Sequence, residues 1–162
     1  MLLEQQIGLQ LGQNFKINKM RVLIAADHAG WELKTQLIEY MDKCGMELTD
    51  LGTNTLESVD YPDYAHKMCS NFKSQFGILI CGSGNGMCMT ANKWPGIRAA
   101  LCWDVDIARL ARAHNNANVI CLPARFLCID DAIDILNTFL ETDFEGDRHT
   151  KRMMAININE NV

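Results

Sequence analysis

The sequence lacks any apolar stretch close to the roughly 20 residues that a membrane-spanning helix requires. It also lacks the spacing C-x-x-C, because its seven cysteines stand singly at positions 44, 69, 81, 88, 102, 121 and 128. Neither a zinc site nor a disulfide framework is indicated, and the odd count favours reduced thiols in a cytoplasmic protein. We therefore expect most of these cysteines to behave as small buried hydrophobic residues.

Basic residues are too few and too scattered to form a nucleic-acid interface. The 162 residues include 15 Lys and Arg against 20 Asp and Glu, a formal net charge of -5. Binding a phosphate backbone usually requires a basic face, whereas a single small phosphorylated ligand needs only a local basic site. Length and charge therefore predict one globular domain whose main partner is not nucleic acid.

The first 19 residues differ from the rest of the chain. They lack the basic start, the long apolar centre and the small-residue cleavage site of a secretory signal. A natural domain start follows at Met20, directly before the apolar run Val22-Leu23-Ile24. We interpret residues 1–19 as an extension that the chemistry does not need, and residues 20–162 as the domain.

From Met20 onward, apolar runs of strand length alternate with stretches of helical periodicity. Strands are predicted at residues 21–26, 46–51, 76–81, 97–102 and 117–122, and helices at 33–41, 61–72, 87–93, 105–113, 129–140 and after the turn at 145–149. Uninterrupted apolar strands indicate a parallel sheet covered on both faces. The fold class is thus predicted to be α/β, a single doubly wound domain whose ligands bind beyond the carboxyl ends of its strands.

A glycine loop follows the third predicted strand. Gly82, Gly84 and Gly86 alternate with Ser83 and Asn85 just before a predicted helix. The pattern G-x-G-x-G is neither the dinucleotide fingerprint nor a P-loop. Glycines permit positive φ and close approach, and successive amides before a helix form a concavity for an anion. The structural alternative is a tight turn that packing alone requires.

Four further features are candidates, each with a structural alternative. Cys81 stands where the strand meets the loop, a place that suits a reactive thiolate, although a buried structural cysteine is the alternative. Asp27-His28 follows the first strand and equally fits a helix cap. His114 lies near a helix terminus, where the helix dipole alone would suit an imidazole. Arg148 and Arg152 share a helix face that suits a phosphate, or they form a solvated basic helix end.

Five motifs in chain order resemble the type B ribose-5-phosphate isomerase family, which includes the galactose-6-phosphate isomerase subunits. They are ADHAGWELK (26–34), DYPDYA (60–65), GILICGSGNGMCMTANKWPGIRAA (77–100), ARAHNNANV (111–119) and EGDRHTKR (145–152). The resemblance implies an aldose-ketose isomerase of the pentose phosphate pathway, with neither metal nor organic cofactor, that interconverts D-ribose 5-phosphate and D-ribulose 5-phosphate through an enediolate. Together the motifs cover nearly the whole chain beyond the extension.

The resemblance also implies roles for individual residues. Cys81 matches the base that moves a proton between C1 and C2, His114 matches the residue that assists ring opening, and Asp27 lies beside the sugar. The amides of residues 82–86, including Asn85, would hold the developing oxyanion together with Ser83. The further substrate-binding positions are His28, Tyr61, Asn115, Arg125, Arg148 and Arg152. The expected assembly is a homodimer or a dimer of dimers with sites shared between subunits and the C-terminal helix packed on a partner.

Three other interpretations stay open. The galactose-6-phosphate isomerase subunits are the nearest relatives in function, but they tend to lack the histidine found here as His114; allose 6-phosphate is a candidate side substrate. A phosphosugar-binding module without turnover would use the loop and the arginines, and the presence of Cys81 and Asp27 argues against it. A nucleotide-binding role is disfavoured because G-x-G-x-x-G is missing.

Overall fold

The structure is a computed structural model that describes residues 20–157, so the extension at residues 1–19 lies outside the described residues. Five strands alternate with helices: β1 Arg21–Ala26, β2 Glu47–Asp50, β3 Phe76–Cys81, β4 Ala99–Leu101 and β5 Val119–Pro123. The six α-helices are α1 Trp31–Lys43, α2 Tyr61–Ser70, α3 Asn85–Ala91, α4 Val105–Asn115, α5 Ile129–Glu141 and α6 Asp147–Met154. Two short 3-10 turns, His28–Gly30 and Ala124–Phe126, follow β1 and β5.

All five strands are parallel, in the order β2-β1-β3-β5-β4. The predicted doubly wound α/β fold is therefore confirmed. Strand β1 is the first in the sequence, and it has β2 on one side and β3 on the other. The direction in which strands are added to the sheet therefore changes between β1 and β3. Ligands of such folds bind in the crevice at this switch point, beyond the carboxyl ends of the two strands.

Apolar side chains cover both faces of the sheet, which explains why its strands read as uninterrupted apolar runs. Val22 and Ile24 of β1 point into one core, shared with α1, α4 and α5. Leu23 and Ala25 point into the other, shared with α2 and α3. Successive side chains of a strand face opposite sides, so one strand supplies both cores.

Element ends differ from the predictions at several places. Strand β4 was predicted over 97–102 but covers only Ala99–Leu101, because the Arg98 amide donates to the Asn118 side chain at 2.8 Å. Helix α4 was predicted to end at residue 113 but runs to Asn115, and Asn116 ends it with φ 47°. His114 and Asn115 consequently lie inside the last helical turn rather than after it.

The cysteines agree with the expectation from their spacing. All seven are free thiols. Cys69, Cys81, Cys102 and Cys121 are buried, and Cys128 is exposed. Among residues 20–157, no helix combines the length and the apolar character needed to cross a membrane.

Candidate active site

Cys81 and Asp27 lie side by side at the switch point of the sheet. Cys81 is the last residue of β3 and Asp27 follows β1; they are 4% and 6% exposed. The Asp27 amide donates to the Ile80 carbonyl at 3.1 Å, which extends the pairing of the two strands. Asp27 Oδ1 accepts from the Gly30 amide at 3.0 Å, so this carboxylate does cap the first turn. The cap engages one carboxylate oxygen and holds the group at the carboxyl edge, on the strand end next to that of Cys81.

The glycine loop turns tightly between β3 and α3. Gly84 has φ +72°, and a Cβ there would collide with the Leu101 side chain and lie 3.2 Å from the Leu122 carbonyl carbon. Ser83 Oγ accepts from the Asn85 amide at 3.4 Å, and α3 begins at Asn85, two residues earlier than predicted. Packing therefore requires glycine at position 84, while the loop still presents its backbone at the carboxyl edge of the sheet.

Two of the predicted binding residues, Tyr61 and Arg125, contact this loop, and a third, His28, follows β1 at the same edge of the sheet. A Cβ on Gly86 would lie 2.5 Å from the Tyr61 ring, so the ring rests directly on the loop backbone. The Arg125 guanidinium lies 3.1 Å from the position of a Cβ on Gly82. His28 accepts at Nδ1 from the Val59 amide at 3.2 Å, which leaves Nε2 to carry the proton of the neutral ring. The carboxyl edge therefore gathers a thiol, a carboxylate, an imidazole, a phenol and a guanidinium.

A buried lysine that the sequence analysis did not single out supports this edge. The Lys34 side chain is 1% exposed and its Nζ lies 2.7 and 2.8 Å from the two oxygens of Asp50. The same ammonium donates to Asn54 Oδ1 at 3.2 Å, and Asp50 accepts from the Gly52 amide at 2.9 Å. This network anchors the segment between β2 and α2. Tyr61 follows that segment directly as the first residue of α2. The sequence places Lys34 beside the apolar face of α1 but does not indicate the acidic partner that permits its burial.

His114 lies at the opposite, amino edge of the sheet. Helix α4 leaves the carboxyl end of β4 and runs back to the start of β5, which is parallel to β4. Its 11 residues span about 16 Å at 1.5 Å per residue, so the ring in its last turn is far from Cys81. Asn115, also in that turn, is exposed. A single chain thus separates the predicted base from the predicted ring-opening residue.

Helix α6 packs beside α4 and joins His114 in a second group of polar side chains. The rings of His114 and His149 stack with centroids 4.2 Å apart and planes at 11°. Arg148 and Arg152 are exposed at i and i+4, the shared helix face that the sequence predicts. The amino edge therefore presents two imidazoles and two guanidinium groups.

Glu145 completes this second group and was missed as a functional candidate. Its Oε2 lies 3.6 Å from the Nε2 atoms of both His114 and His149. Arg148 Nε donates to His149 Nε2 at 3.3 Å. Burial lowers the pKa of His149, and the neighbouring His114 and the positive charge of Arg148 act in the same direction. Near neutral pH the His149 ring is therefore neutral.

Residues His114, Glu145 and His149 are also of types that ligate metals, with donor atoms within 4.8 Å of one another. The two rings are nearly parallel, however, so their in-plane lone pairs run side by side instead of converging on one point. This geometry suits pairing of the Glu145 carboxylate with His114, and we assign no metal to the group.

An α/β domain with a thiol, a carboxylate and a glycine loop at its switch point defines the class of doubly wound domains that bind small ligands there. Within that class, residues 22–156 match the family described as Ribose/Galactose Isomerase. The chain belongs to that family. The five motifs that carried the resemblance fall within the matched region.

Individual relatives agree with this assignment. The chain is 36% identical over 139 residues to ribose-5-phosphate isomerase B of Escherichia coli, covering 84% of this chain and 93% of the relative. A crystal structure of a ribose 5-phosphate isomerase from Thermotoga maritima superposes with a TM-score of 0.83 at 48% identity, covering 85% of this chain and 97% of the other. A crystal structure of ribose-5-phosphate isomerase B from Mycoplasma genitalium with bound ribulose-5-phosphate superposes with a TM-score of 0.78 at 42% identity. The match covers 84% of this chain and 93% of the other.

Proposed function

We propose that this protein interconverts D-ribose 5-phosphate and D-ribulose 5-phosphate, with Cys81 as the base. One observation carries the proposal: the Cys81 thiol lies at the switch point, beside Asp27 and directly before the glycine loop. Relatives at 36% and 42% identity named for this activity support it, one of them with bound ribulose-5-phosphate. We infer a reaction without metal or organic cofactor, and the seven free thiols suit the cytoplasm.

The proposed chemistry is proton transfer next to a carbonyl. The Cys81 thiolate takes the proton from C2 of the open-chain aldose, the C–H electron pair forms the C1–C2 double bond, and O1 becomes negative. The amides of residues 82–86 and Ser83 stabilise that charge. The proton of the O2 hydroxyl then passes to O1, and return of the abstracted proton from Cys81 to C1 gives the ketose with its carbonyl at C2. Preorganised hydrogen-bond donors and a positioned base each increase the reaction rate by several orders of magnitude, and the base contributes a factor of about 10²–10⁴.

The ring of the cyclic aldose must open before the proton can move. We assign this step to His114, and the binding of the substrate phosphate and hydroxyl groups to Asn115, Arg148 and Arg152. These residues lie at the amino edge of their own chain, about one helix length from Cys81. The complete site therefore needs a second copy of the chain. The amino edge of that copy faces the carboxyl edge of the first, which supplies Cys81 together with the binding residues His28, Tyr61 and Arg125. We propose a homodimer or a dimer of dimers with shared sites, in which α6 packs against the partner.

The test of the function is turnover of ribose 5-phosphate in the presence of a chelator, with wild type beside Cys81→Ala. We expect wild type to be active and the variant to lose at least about 100-fold in rate while still binding the phosphosugar. Deuterium exchange into C1 of ribulose 5-phosphate isolates the proton transfer, because this ketose needs no ring opening; Cys81→Ala should abolish the exchange. Full activity in the variant would refute the assignment of the base.

Mixing two inactive variants tests the shared site. A chain with Cys81→Ala retains His114, and a chain with His114→Ala retains Cys81, so a mixed dimer holds one intact site. Random reassociation should restore about one quarter of wild-type activity. Mixtures that stay inactive after verified subunit exchange would contradict the shared site. Comparison with galactose 6-phosphate and allose 6-phosphate tests the six-carbon alternative within the family.

A further inference from the structure

The acidic side chain beside the Nε2 edges of the two stacked imidazoles has no part in the chemistry described above. Glu145 belongs to the turn between α5 and α6, and its amide donates to the Ala113 carbonyl at 3.0 Å. This bond fixes the turn against the last turn of α4, immediately before His114. The backbone thus places the Glu145 carboxylate beside the histidine independently of its own charge.

The two imidazoles that Glu145 meets are not equivalent. His149 Nε2 accepts from Arg148 Nε at 3.3 Å, so the neutral His149 ring carries its proton on Nδ1. His114 Nε2 lies 3.6 Å from Glu145 Oε2, and a carboxylate at this distance favours a proton on that nitrogen. The ring of His149 packs flat against one face of the His114 ring, and the carboxylate lies at the Nε2 edge of that ring.

On the basis of the proposed function, we propose that Glu145 is a positioning residue for ring opening: its carboxylate holds His114 as the Nε2–H tautomer, in one orientation, against the stacked ring of His149. The charged groups that face this pair are Arg148 and Arg152 of α6, both positive. Glu145 is the acidic group beside both rings, with Oε2 at 3.6 Å from each Nε2 atom. Nδ1 of this tautomer is then free to take the proton of the O1 hydroxyl and return it to the ring oxygen as the bond between C1 and that oxygen breaks. A histidine whose tautomer and orientation are set in advance loses less freedom in this exchange.

Glu145→Gln removes the charge and keeps the size of the side chain. Nitrogen-15 NMR of the imidazole rings reports the tautomer directly and needs no substrate. We expect the Nε2–H form of His114 to dominate in wild type and a mixture of the two tautomers in the variant, whereas His149 keeps its Nδ1–H form. Glu141→Gln, a neutralised carboxylate at the end of α5, is the matched control and should leave both rings unchanged.

Kinetics separate positioning from a general loss of structure. In Glu145→Gln, kcat for cyclic ribose 5-phosphate should fall about tenfold, part of what a general acid supplies. Deuterium exchange into C1 of ribulose 5-phosphate should change less than twofold, because it bypasses ring opening. Glu145→Asp keeps the charge at shorter reach and should recover part of the loss. If Glu145→Gln fails to fold, Glu145→Asp should still show a smaller Nε2–H fraction than wild type.

Two outcomes would overturn the inference. An active wild type with unchanged His114 tautomer and unchanged turnover in Glu145→Gln would show that the carboxylate does not position the ring. Equal losses in turnover and in ketose exchange would show that Glu145 acts on the whole site. An inactive wild type whose His114 tautomer still depends on Glu145 would overturn the proposed function instead, while supporting the orientation of the ring.

Discussion

The buried ammonium of Lys34 forms an ion pair with the partly exposed carboxylate of Asp50, 2.7 Å away, beneath the segment that leads to Tyr61 and the glycine loop. Lys34→Met should lower the free energy of unfolding by about 2 kcal/mol, because Asp50 and Asn54 both lose a charged hydrogen-bond donor. Urea unfolding measures this loss. The exposed control Lys73→Met should change stability by less than about 0.5 kcal/mol.

A double variant tests the cause of that loss. Replacing both partners, as in Lys34→Met with Asp50→Leu, removes the unpaired charge and should recover part of the stability. A double variant less stable than Lys34→Met would show that the lysine stabilises through its packing or through Asn54, and not through the charge pair.

Gly84 and Gly96 separate the effect of backbone conformation from that of close packing. Both have positive φ, +72° and +79°, but an added Cβ meets Leu101 and Leu122 at position 84 and nothing within 4 Å at position 96. Gly96→Ala should cost about 1 kcal/mol for the left-handed backbone. Gly84→Ala should cost about 3 kcal/mol and abolish turnover. Similar losses in the two variants by urea unfolding would refute the packing argument.

The thiols should differ in their reaction with iodoacetamide. A hydrogen bond from Cys121 is the main cause that lowers the pKa of Cys88, whereas burial raises the pKa of Cys69 to about 11 and that of Cys102 to about 12. Only the thiolate reacts. At pH 8, peptide mass spectrometry should find Cys88 and the exposed Cys128 alkylated before Cys69 and Cys102.

Cys88→Ser provides the control for that experiment. It should remove one early adduct and leave isomerase activity within about twofold, because Cys88 has no part in the proposed proton transfer. Early labelling of Cys102 in the folded wild type would contradict the ordering by pKa and burial.

His149 should make stability depend on pH. Burial lowers its pKa in the folded state below the ordinary value of 6.5, helped by His114 and Arg148. Below pH 6.5 the unfolded chain therefore binds more protons at this histidine than the folded chain does. The contribution of His149 to the free energy of unfolding is complete above pH 6.5 and is lost as the pH falls towards the folded-state pKa. His149→Gln should flatten this part of the melting-temperature profile between pH 5 and 7, measured about every half unit. A slope as steep in the variant as in wild type would assign the effect to other groups.

Much of the fold follows from local patterns. The runs at β1 and β3 are apolar without interruption because both faces of these parallel strands are buried. The residue type at each position therefore indicates its burial. The ends of elements were less predictable. Helix α4 continues through His114 and Asn115 because the left-handed backbone of Asn116 ends it, a conformation that the residue type permits but does not require.

Two contributors to the site were not predictable for a different reason. Lys34 is charged and reads as a surface residue of α1, and it is buried only because Asp50 and Asn54 close over it from another segment. Glu145 reads as part of a charged turn, and its place beside His114 depends on how α6 packs against α4.

The sequence by itself determined the alternation of strands and helices, the family motifs and the residue types that suit proton transfer and phosphate binding. Tertiary structure decided which of them meet. The strand order makes β1 and β3 neighbours and so brings Asp27 to Cys81, while the return of α4 carries His114 to the other edge. Local periodicity records whether a residue is buried, but the pairing of distant strands depends on packing over the whole domain.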